Sequence, residues 1–134
     1  TELQDASVCR EEWKDSADVV LCDVPCSGLG IIRKKPEIRF KNPDEIRTLP
    51  EIQAKILANC AQYVKKGGTL VYSTCTILQR ENEDVVRAFL TENPEFEAVS
   101  WTHPVCGERA DGMVTLLPPV HNTDGFFIAK MHRK

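Results

Sequence analysis

Two continuous apolar runs, each ending in polar residues, constrain the fold more than any other feature of the sequence. The first run, "ADVVLCDVP", spans residues 17–25, and the second, "TLVYSTC", spans residues 69–75. Apolarity that is continuous rather than alternating is typical of strands buried on both faces of a parallel sheet. We therefore predict that both runs are strands of this kind.

A helix is predicted between the two runs. Thr48 and Glu51 have the spacing of a capping box, which predicts that the helix begins near Thr48. Gly67 and Gly68 predict where it stops. The apolar positions that recur at helical spacing are Ile52, Ile56, Leu57, Cys60 and Val64.

The remainder of the chain continues the alternation of helices and strands. The patterns predict a helix over 80–94, a strand over 96–101, a loop over 105–125 and a last strand over 125–132. This order is typical of an α/β open sheet, whose active site lies outside the carboxyl ends of its strands. If the two apolar strands are neighbours, Cys26 and Cys75 are expected to share one crevice there.

Composition narrows the class of protein. The 134 residues suit one domain, and 42% hydrophobic with 28% charged residues is typical of a globular protein. The sequence has no run of 18 apolar residues and opens with no signal peptide, so we predict a cytoplasmic protein. Because the net charge is −3, binding to nucleic acid would need a local basic patch.

A basic loop over residues 31–46 is a candidate for that patch. Its cations are Arg33, Lys34, Lys35, Arg39 and Lys41, and Phe40 lies among them. Cations suit contacts with phosphates, and an aromatic ring suits stacking on a base. The loop therefore predicts contact with RNA.

The cysteines leave several chemical hypotheses open. A disulfide framework is disfavoured because no signal peptide is visible, and no metal site is predicted because the six cysteines include no Cys-x-x-Cys pair. Cys26 and Cys75, at two strand ends, favour thiolate chemistry. Addition of a thiolate to carbon 6 of cytosine, followed by methylation of carbon 5, is one candidate. A thiol redox pair and a non-catalytic RNA-binding module are the others.

Three blocks of the sequence resemble a known family. They are "DVPCSGLGIIRKKPEIRF", "YSTCTILQRENEDVV" and "PPVHNTDGFFIAKM". Together they are similar to the signature blocks of the RNA 5-methylcytosine methyltransferases, in the Sun or RsmB-type branch that acts on small-subunit ribosomal RNA. The resemblance implies a Rossmann-like methyltransferase sheet, S-adenosylmethionine as cofactor and ribosomal RNA as partner.

The resemblance also implies roles for individual residues. Cys75 matches the nucleophile that adds to carbon 6 of cytosine, and Cys26 matches the cysteine that assists release of the product. Asp23 matches an acidic residue that contacts the cytosine ring and lies near the methyl donor. Independently of the resemblance, the position of Glu81 and Asn82 near a predicted helix end suggests that they brace the Cys75 loop through hydrogen bonds.

Further matches concern the cofactor and the RNA. Asp5, in "LQDAS", matches an aspartate that binds the adenine of S-adenosylmethionine, and Pro25 shapes the strand end beside the cofactor. Arg33 and Lys34 are expected to contact RNA, with Phe40 stacking on a base.

One part of the family pattern is missing from the sequence. The family carries a glycine-rich donor loop and two earlier strands, whereas no Gly-x-Gly occurs before residue 28. We therefore expect residues 1–134 to be the C-terminal part of a catalytic domain, which alone binds S-adenosylmethionine poorly and is inactive. The first strand should then leave an apolar sheet edge, through which copies of the chain could pair.

Overall fold

The computed structural model describes residues 2–134 and forms one mixed α/β unit. Its strands are β1 (Ala17–Asp23), β2 (Val64–Thr74), β3 (Phe96–Ala98), β4 (Trp101–His103), β5 (Gly107–Arg109), β6 (Met113–Leu116) and β7 (Phe126–Arg133). Its α-helices are α1 (Pro43–Ala61), α2 (Glu83–Glu92) and α3 (Pro118–His121). No helix within residues 2–134 combines the length and the apolarity needed to cross a membrane.

Five strands form the main sheet. Its order is β1, β2, β7 and β3, and β6 pairs with β7 beside β3, while β4 and β5 form a separate hairpin. Strands β1 and β2 run parallel, with Asp23 opposite Ser73, and all the other pairs are antiparallel. The two strands predicted as neighbours are therefore adjacent, and their carboxyl ends lie at the same edge of the sheet.

The core lies between the sheet and helices α1 and α2. Leu70, Tyr72 and Phe127 project from the sheet, where they join Leu57 of α1 and Val86 of α2 in one buried cluster. The rings of Tyr72 and Phe127 meet edge to face at 6.1 Å between centroids. Burial of each such large apolar side chain stabilises the fold by about 1.5–3 kcal/mol.

Strand β1 forms one edge of the sheet. Among the described residues it pairs with β2 alone, which leaves the apolar edge that the sequence predicts. The prediction that β1 is buried on both faces is wrong, because Val19 and Leu21 are 64% and 68% exposed. Helix α1 packs against the other face of β1, where Cys22 is buried.

Helix α1 begins earlier than the capping box predicts. The side chain of Asn42 accepts a hydrogen bond from Asp44 N at 3.0 Å, and Pro43 occupies the first turn. Both features favour a helix start, because Asn satisfies a free N–H group and proline needs no N–H partner there. Thr48 lies inside α1, where its hydroxyl donates to Glu45 O.

The end of α1 also differs from the prediction. The helix stops at Ala61, and Val64 is already the first residue of β2. Gly67 and Gly68 lie within β2, at the point where the pairing register with β1 shifts. Gly67 has φ +78°, so it introduces an irregularity in the strand instead of ending the helix.

The C-terminal half contains more structure than its sequence predicts. The last strand and the second helix occur close to their predicted positions, as β7 and α2. The predicted strand over 96–101 divides into β3 and the first residue of β4, and the predicted loop over 105–125 contains β5, β6 and α3. These elements are three or four residues long, too short to produce a periodic pattern.

Removal of the Asn42 cap should destabilise the protein. We expect Asn42→Ala to lower the free energy of unfolding by about 1 kcal/mol, because it leaves a helix N–H group without its acceptor. Urea denaturation measures this change. Lys55→Ala, at an exposed position of the same helix, is the matched control and should change the free energy by less than about 0.5 kcal/mol. Equal losses in both variants would contradict the assignment.

The apolar edge of β1 predicts self-association. We expect the isolated chain to form dimers or larger species as its concentration rises, because Val19 and Leu21 flank unpaired backbone groups. Leu21→Lys should shift the population towards monomer in sedimentation velocity experiments. Lys66→Ala, at an exposed position of β2, should leave it unchanged. A monomer at all concentrations would show that this edge does not pair.

Candidate active site

The structure brings two of the predicted site cysteines together. Cys26 follows β1, Cys75 follows β2, and their sulfur atoms lie 3.2 Å apart. Both side chains are half-buried, and both residues line one cleft of about 420 Å³. The two thiols are therefore within hydrogen-bonding distance of each other and face the same cleft.

Direct contacts fasten the loops that carry the two thiols. Ser27 Oγ and Thr76 Oγ1 are hydrogen bonded at 2.7 Å, and Gly30 N donates to Cys75 O at 3.0 Å. A Cβ atom at Gly30 would lie 2.0 Å from the carbonyl oxygen of Gly125, so only glycine permits this approach. The spacing of the thiols is thus part of a packed arrangement.

The surroundings of Cys26 change the acidity of its thiol. Burial first, and then the hydrogen bond with Cys75, raise the pKa of Cys26 to about 12. Cys26 therefore keeps its proton at neutral pH and can donate it in the contact between the two sulfur atoms.

Asp23 lies at the carboxyl end of β1, three residues before Cys26, and outside the cleft lining. Its Oδ1 accepts a hydrogen bond from Ser73 Oγ at 2.7 Å, which orients the carboxylate, while the residue as a whole stays exposed. Pro25 is also exposed, and its carbonyl oxygen accepts a hydrogen bond from Gln53 Nε2 at 3.0 Å. Both residues are therefore available to a ligand at this edge.

The basic loop divides into two parts. Lys35, Glu37 and Lys41 line the cleft, and Lys41 Nζ donates to Ser27 O at 2.9 Å. Sequence reasoning included both lysines in the basic loop but did not assign them to the site. Only the short helical turn over Pro36–Phe40 brings them round to the thiols, and its sequence carries no periodic signal.

The predicted RNA-contacting residues lie outside the cleft lining. Arg33 and Lys34 both contact the carboxylate of Asp124, and the hydrogen bond from Lys34 holds the pKa of Asp124 below its ordinary value. Phe40 is 83% exposed, with the Arg39 guanidinium 5.9 Å from its ring centroid. These side chains form an exposed cationic and aromatic rim.

Asp5 is remote from the cleft lining. Its Oδ1 accepts hydrogen bonds from Ser7 N at 2.9 Å and Ser7 Oγ at 2.7 Å, and these bonds lower the pKa of Asp5. Asn59 of α1 donates to the neighbouring Ala6 O at 2.7 Å and holds this segment against the helix. The structure does not bring Asp5 together with the thiols.

Bracing of the thiol loops extends beyond the prediction. Asn82 contacts the Cys75 loop as expected, but the Glu81 carboxylate contacts the Cys26 loop, where Oε2 accepts from Ser27 N at 2.9 Å. Gln53, on helix α1, donates a hydrogen bond to Glu81. The sequence gives no signal for this contact, because Gln53 appears there as a single polar residue among apolar ones.

Within residues 2–134, no group of three or more His, Cys, Asp or Glu side chains is placed to hold a metal ion.

The comparison with protein families shows the class to which this fold and site belong. The family model described as 16S rRNA methyltransferase RsmB/F matches residues 3–132. The chain therefore belongs to the RsmB/F family, and the predicted Rossmann-like methyltransferase fold is confirmed.

Named relatives agree with this family. The chain is 44% identical over 140 residues to the probable ribosomal RNA small subunit methyltransferase B of Bacillus subtilis, covering 99% of this chain and 31% of that relative. It is 40% identical over 122 residues to ribosomal RNA small subunit methyltransferase B of Thermus thermophilus, covering 89% of this chain and 30% of that relative. The chain thus spans less than a third of the length of these relatives.

Solved structures share the fold. The crystal structure of PH0851 superposes with a TM-score of 0.89 at 37% identity, covering 97% of this chain and 30% of that one. NSun6 from Pyrococcus horikoshii, crystallised with SFG, superposes with a TM-score of 0.71 at 27% identity, covering 84% of this chain and 29% of that one.

The family implies S-adenosylmethionine, and the residues present fit one side of a site for it. The carboxylate of Asp23 is exposed and oriented at the carboxyl end of β1, where ligands of α/β sheets bind. No glycine occurs in residues 1–27, so this stretch contains no glycine-rich loop. The described residues therefore place one carboxylate where S-adenosylmethionine could bind, and residues 1–27 contain no glycine-rich loop to complete the site.

The Asp124 contacts predict how the basic loop is held. We expect Asp124→Asn to increase amide hydrogen exchange of Lys34 and Lys35 about two- to fivefold, because an exposed ion pair contributes modestly to local stability. Both amides donate to Ile31 O in the structure, so their exchange reports opening of this turn. Mass spectrometry of the peptide that contains them measures the rate.

Asp111→Asn is the matched control. Asp111 is exposed, and its side chain accepts from Met113 N at the start of β6. This variant should leave exchange of residues 31–35 unchanged. Unchanged exchange in Asp124→Asn as well would show that Asp124 does not fasten the basic loop.

Proposed function

We propose that this chain is part of an S-adenosylmethionine-dependent methyltransferase that modifies carbon 5 of a cytosine in small-subunit ribosomal RNA through a cysteine adduct. The observation that carries the proposal is the pair of sulfur atoms 3.2 Å apart on the wall of a cleft. The names of the relatives support methylation of small-subunit ribosomal RNA. The choice of cytosine rests on the two thiols.

Cytosine carbon 5 needs covalent activation because it is a poor nucleophile in the intact ring. Addition of a thiolate to carbon 6 breaks the double bond between carbons 5 and 6 and gives an enamine. Carbon 5 of the enamine can take a methyl group. Transfer of the carbon 5 proton to solvent water then restores the double bond between carbons 5 and 6 and expels the sulfur as a thiolate.

Cys75 is the proposed nucleophile. Its sulfur lies 3.2 Å from the Cys26 sulfur, so a hydrogen bond donated by Cys26 would stabilise a thiolate there. The hydrogen bond from Gly30 N to Cys75 O fixes the backbone behind that sulfur. Fixed geometry of this kind favours attack on a correctly oriented ring.

Cys26 is proposed to act as the hydrogen-bond donor. Its raised pKa keeps a proton on its sulfur at neutral pH, in contact with the Cys75 sulfur. A donor at that position stabilises the Cys75 thiolate before attack and again after expulsion from carbon 6. Cys26 therefore assists release of the product without forming a bond to the ring.

Asp23 is proposed to contact the cytosine ring and the edge of the cofactor, with Pro25 beside it. The Ser73 hydroxyl orients its carboxylate, which can accept a hydrogen bond from an amino group. S-adenosylmethionine supplies an electrophilic methyl group when bound. Asp5 is proposed to bind its adenine, although the Oδ1 atom of Asp5 already accepts hydrogen bonds from Ser7.

The exposed rim is proposed to bind RNA around the target base. Arg33 and Lys34 would contact phosphates, and Phe40 would stack on a neighbouring base. Lys35 and Lys41, on the cleft wall, would contact the target nucleotide. This distribution supports binding of RNA despite the net charge of −3.

The chain alone is proposed to be the C-terminal part of the catalytic domain and to be inactive. Support comes from its length, which is 31% of the Bacillus subtilis relative, and from the one-sided donor site. Isothermal calorimetry of the chain with S-adenosylmethionine tests this part. Micromolar binding would overturn it.

A non-catalytic RNA-binding module is the second candidate. The exposed cations and Phe40 favour it, since they need no chemistry at the thiols. Strong RNA binding with a steep salt dependence, but no covalent adduct, would be its signature.

Trapping of a covalent adduct tests the proposed mechanism. The experiment uses a polypeptide of the relatives' full length that contains this chain, together with small-subunit ribosomal RNA and S-adenosylmethionine. We expect Cys26→Ala to accumulate a protein–RNA adduct on a denaturing gel, because the Cys75 sulfur has lost its donor for expulsion. Cys75→Ala should form none, and turnover should fall about a hundredfold or more in both variants.

Cys106→Ala is the matched control, because Cys106 lies in the hairpin between β4 and β5, remote in sequence from both thiols. It should behave like the unmodified protein. An adduct in Cys75→Ala but not in Cys26→Ala would retain the chemistry and exchange the two roles. No adduct in either variant, with RNA that the unmodified protein methylates, would refute the mechanism.

A further inference from the structure

Two side chains hold the backbone on both sides of Cys26. Gln53 Nε2 donates to Pro25 O at 3.0 Å, and Glu81 Oε2 accepts from Ser27 N at 2.9 Å. The two side chains are also joined to each other, because Gln53 Nε2 donates to Glu81 Oε2 at 3.0 Å. The residues that precede and follow Cys26 are therefore fixed to one buried pair.

One side chain holds the residues on both sides of Cys75. Thr74 Oγ1 donates to Asn82 Oδ1 at 2.6 Å, and Asn82 Nδ2 donates to Thr76 O at 3.1 Å. Asn82 uses both its acceptor and its donor for these contacts. The residues that flank Cys75 are thus held by one amide group.

The two sets of contacts meet at adjacent residues. Glu81 and Asn82 are consecutive, at the end of the helical turn over Gln79–Glu81, and Tyr72 Oη donates to Glu81 O at 2.6 Å. Gln53, Glu81 and Asn82 have no exposed surface. A single buried unit therefore joins the loop that carries Cys26 to the loop that carries Cys75.

Stability alone does not account for this unit. Glu81 Oε1 and Gln53 Oε1 are buried and have no hydrogen-bond partner within residues 2–134. A buried oxygen without a hydrogen-bond partner destabilises the folded chain, and apolar side chains of similar size would avoid that cost. The side-chain contacts that Gln53, Glu81 and Asn82 do make outside the unit end on residues that flank the two cysteines.

We propose that Gln53, Glu81 and Asn82 form a thiol clamp, a set of positioning residues that fixes the distance between Cys26 and Cys75. The clamp does not touch the reacting atoms. It acts by keeping the Cys26 sulfur close enough to donate to the Cys75 sulfur. The importance of the clamp for turnover rests on the function proposed above, whereas its effect on the thiol distance does not.

Disulfide exchange with glutathione measures the thiol distance without RNA or S-adenosylmethionine. At equilibrium, the fraction of chain with a Cys26–Cys75 disulfide reports how closely the protein holds the two sulfur atoms. Peptide mapping by mass spectrometry separates this disulfide from any involving the other four cysteines. The measurement uses the same 134-residue chain.

We expect Glu81→Ala and Asn82→Ala to lower the equilibrium constant for this disulfide about tenfold or more, because the freed loops sample larger separations. Glu81→Gln keeps an oxygen that can accept from Ser27 N and Gln53, and should rescue the equilibrium constant to within about threefold of the unmodified chain. Thr74→Val removes one hydroxyl from the contact with Asn82 at nearly constant volume. It provides a milder test if either alanine variant fails to fold, and it too should lower the constant.

Met131→Ala is the matched control for general loss of stability. Met131 is fully buried in β7, opposite Leu70, at a distance along the sheet from the cysteine loops. It should lower the unfolding temperature without changing the disulfide equilibrium. An unchanged equilibrium in the folded clamp variants, or an equal change in Met131→Ala, would overturn the clamp.

Steady-state kinetics of the full-length polypeptide test the clamp and the proposed function separately. In the full-length polypeptide, clamp variants should show lower kcat with little change in KM for RNA, and Glu81→Gln should restore kcat. If the unmodified protein forms no adduct in any cysteine variant, the proposed function fails, and the disulfide series still decides whether the clamp exists. If kcat is unaffected while the disulfide equilibrium shifts, the clamp has no role in turnover and that part of the inference is wrong.

Discussion

The parallel pairing of β1 with β2 is the constraint on which the site depends. It places Asp23 opposite Ser73, so the two chain segments leave the sheet side by side and each reaches its cysteine within three residues. A shift of β1 along β2 by one residue would turn Cys22 from the buried face to the exposed one. The core therefore fixes the register, and the register fixes the starting points of both thiol loops.

The thiol clamp, formed by Gln53, Glu81 and Asn82, positions the two cysteine loops beyond the ends of the strands. Strand pairing alone positions the backbone up to Asp23 and Thr74, but the cysteines lie beyond those residues in segments without regular structure. Loops of this kind lose conformational freedom only if specific contacts hold them, which costs about 1–2 kcal/mol for each residue fixed. Buried hydrogen bonds from α1 and from the helical turn that precedes α2 supply those contacts, so these helical segments contribute to the site as well as to the core.

The sequence predicts the parts of this arrangement that follow from repeated patterns. Long apolar runs identify β1 and β2, and the strand ends identify Cys26 and Cys75 as neighbours. The start of α1 was predicted wrongly because one cap at Asn42 decides it. The contact between Gln53 and Glu81 could not be predicted, since it joins single polar residues 28 positions apart and leaves no period in the sequence. Local sequence patterns thus predict the strands and the positions of the two cysteines, whereas the tertiary contacts that set the geometry of the site cannot be predicted from them.

The contact between the two thiols allows two like groups to take different roles. Both cysteines follow parallel strands and face the same cleft, and burial and the hydrogen bond with Cys75 raise the pKa of Cys26 to about 12. Cys26 therefore keeps its proton at neutral pH and can donate it to the Cys75 sulfur. If the loops separated, Cys26 would remain protonated but would no longer reach the sulfur it stabilises. The distance between the thiols, rather than the chemical identity of either, is therefore the property that the fold must protect.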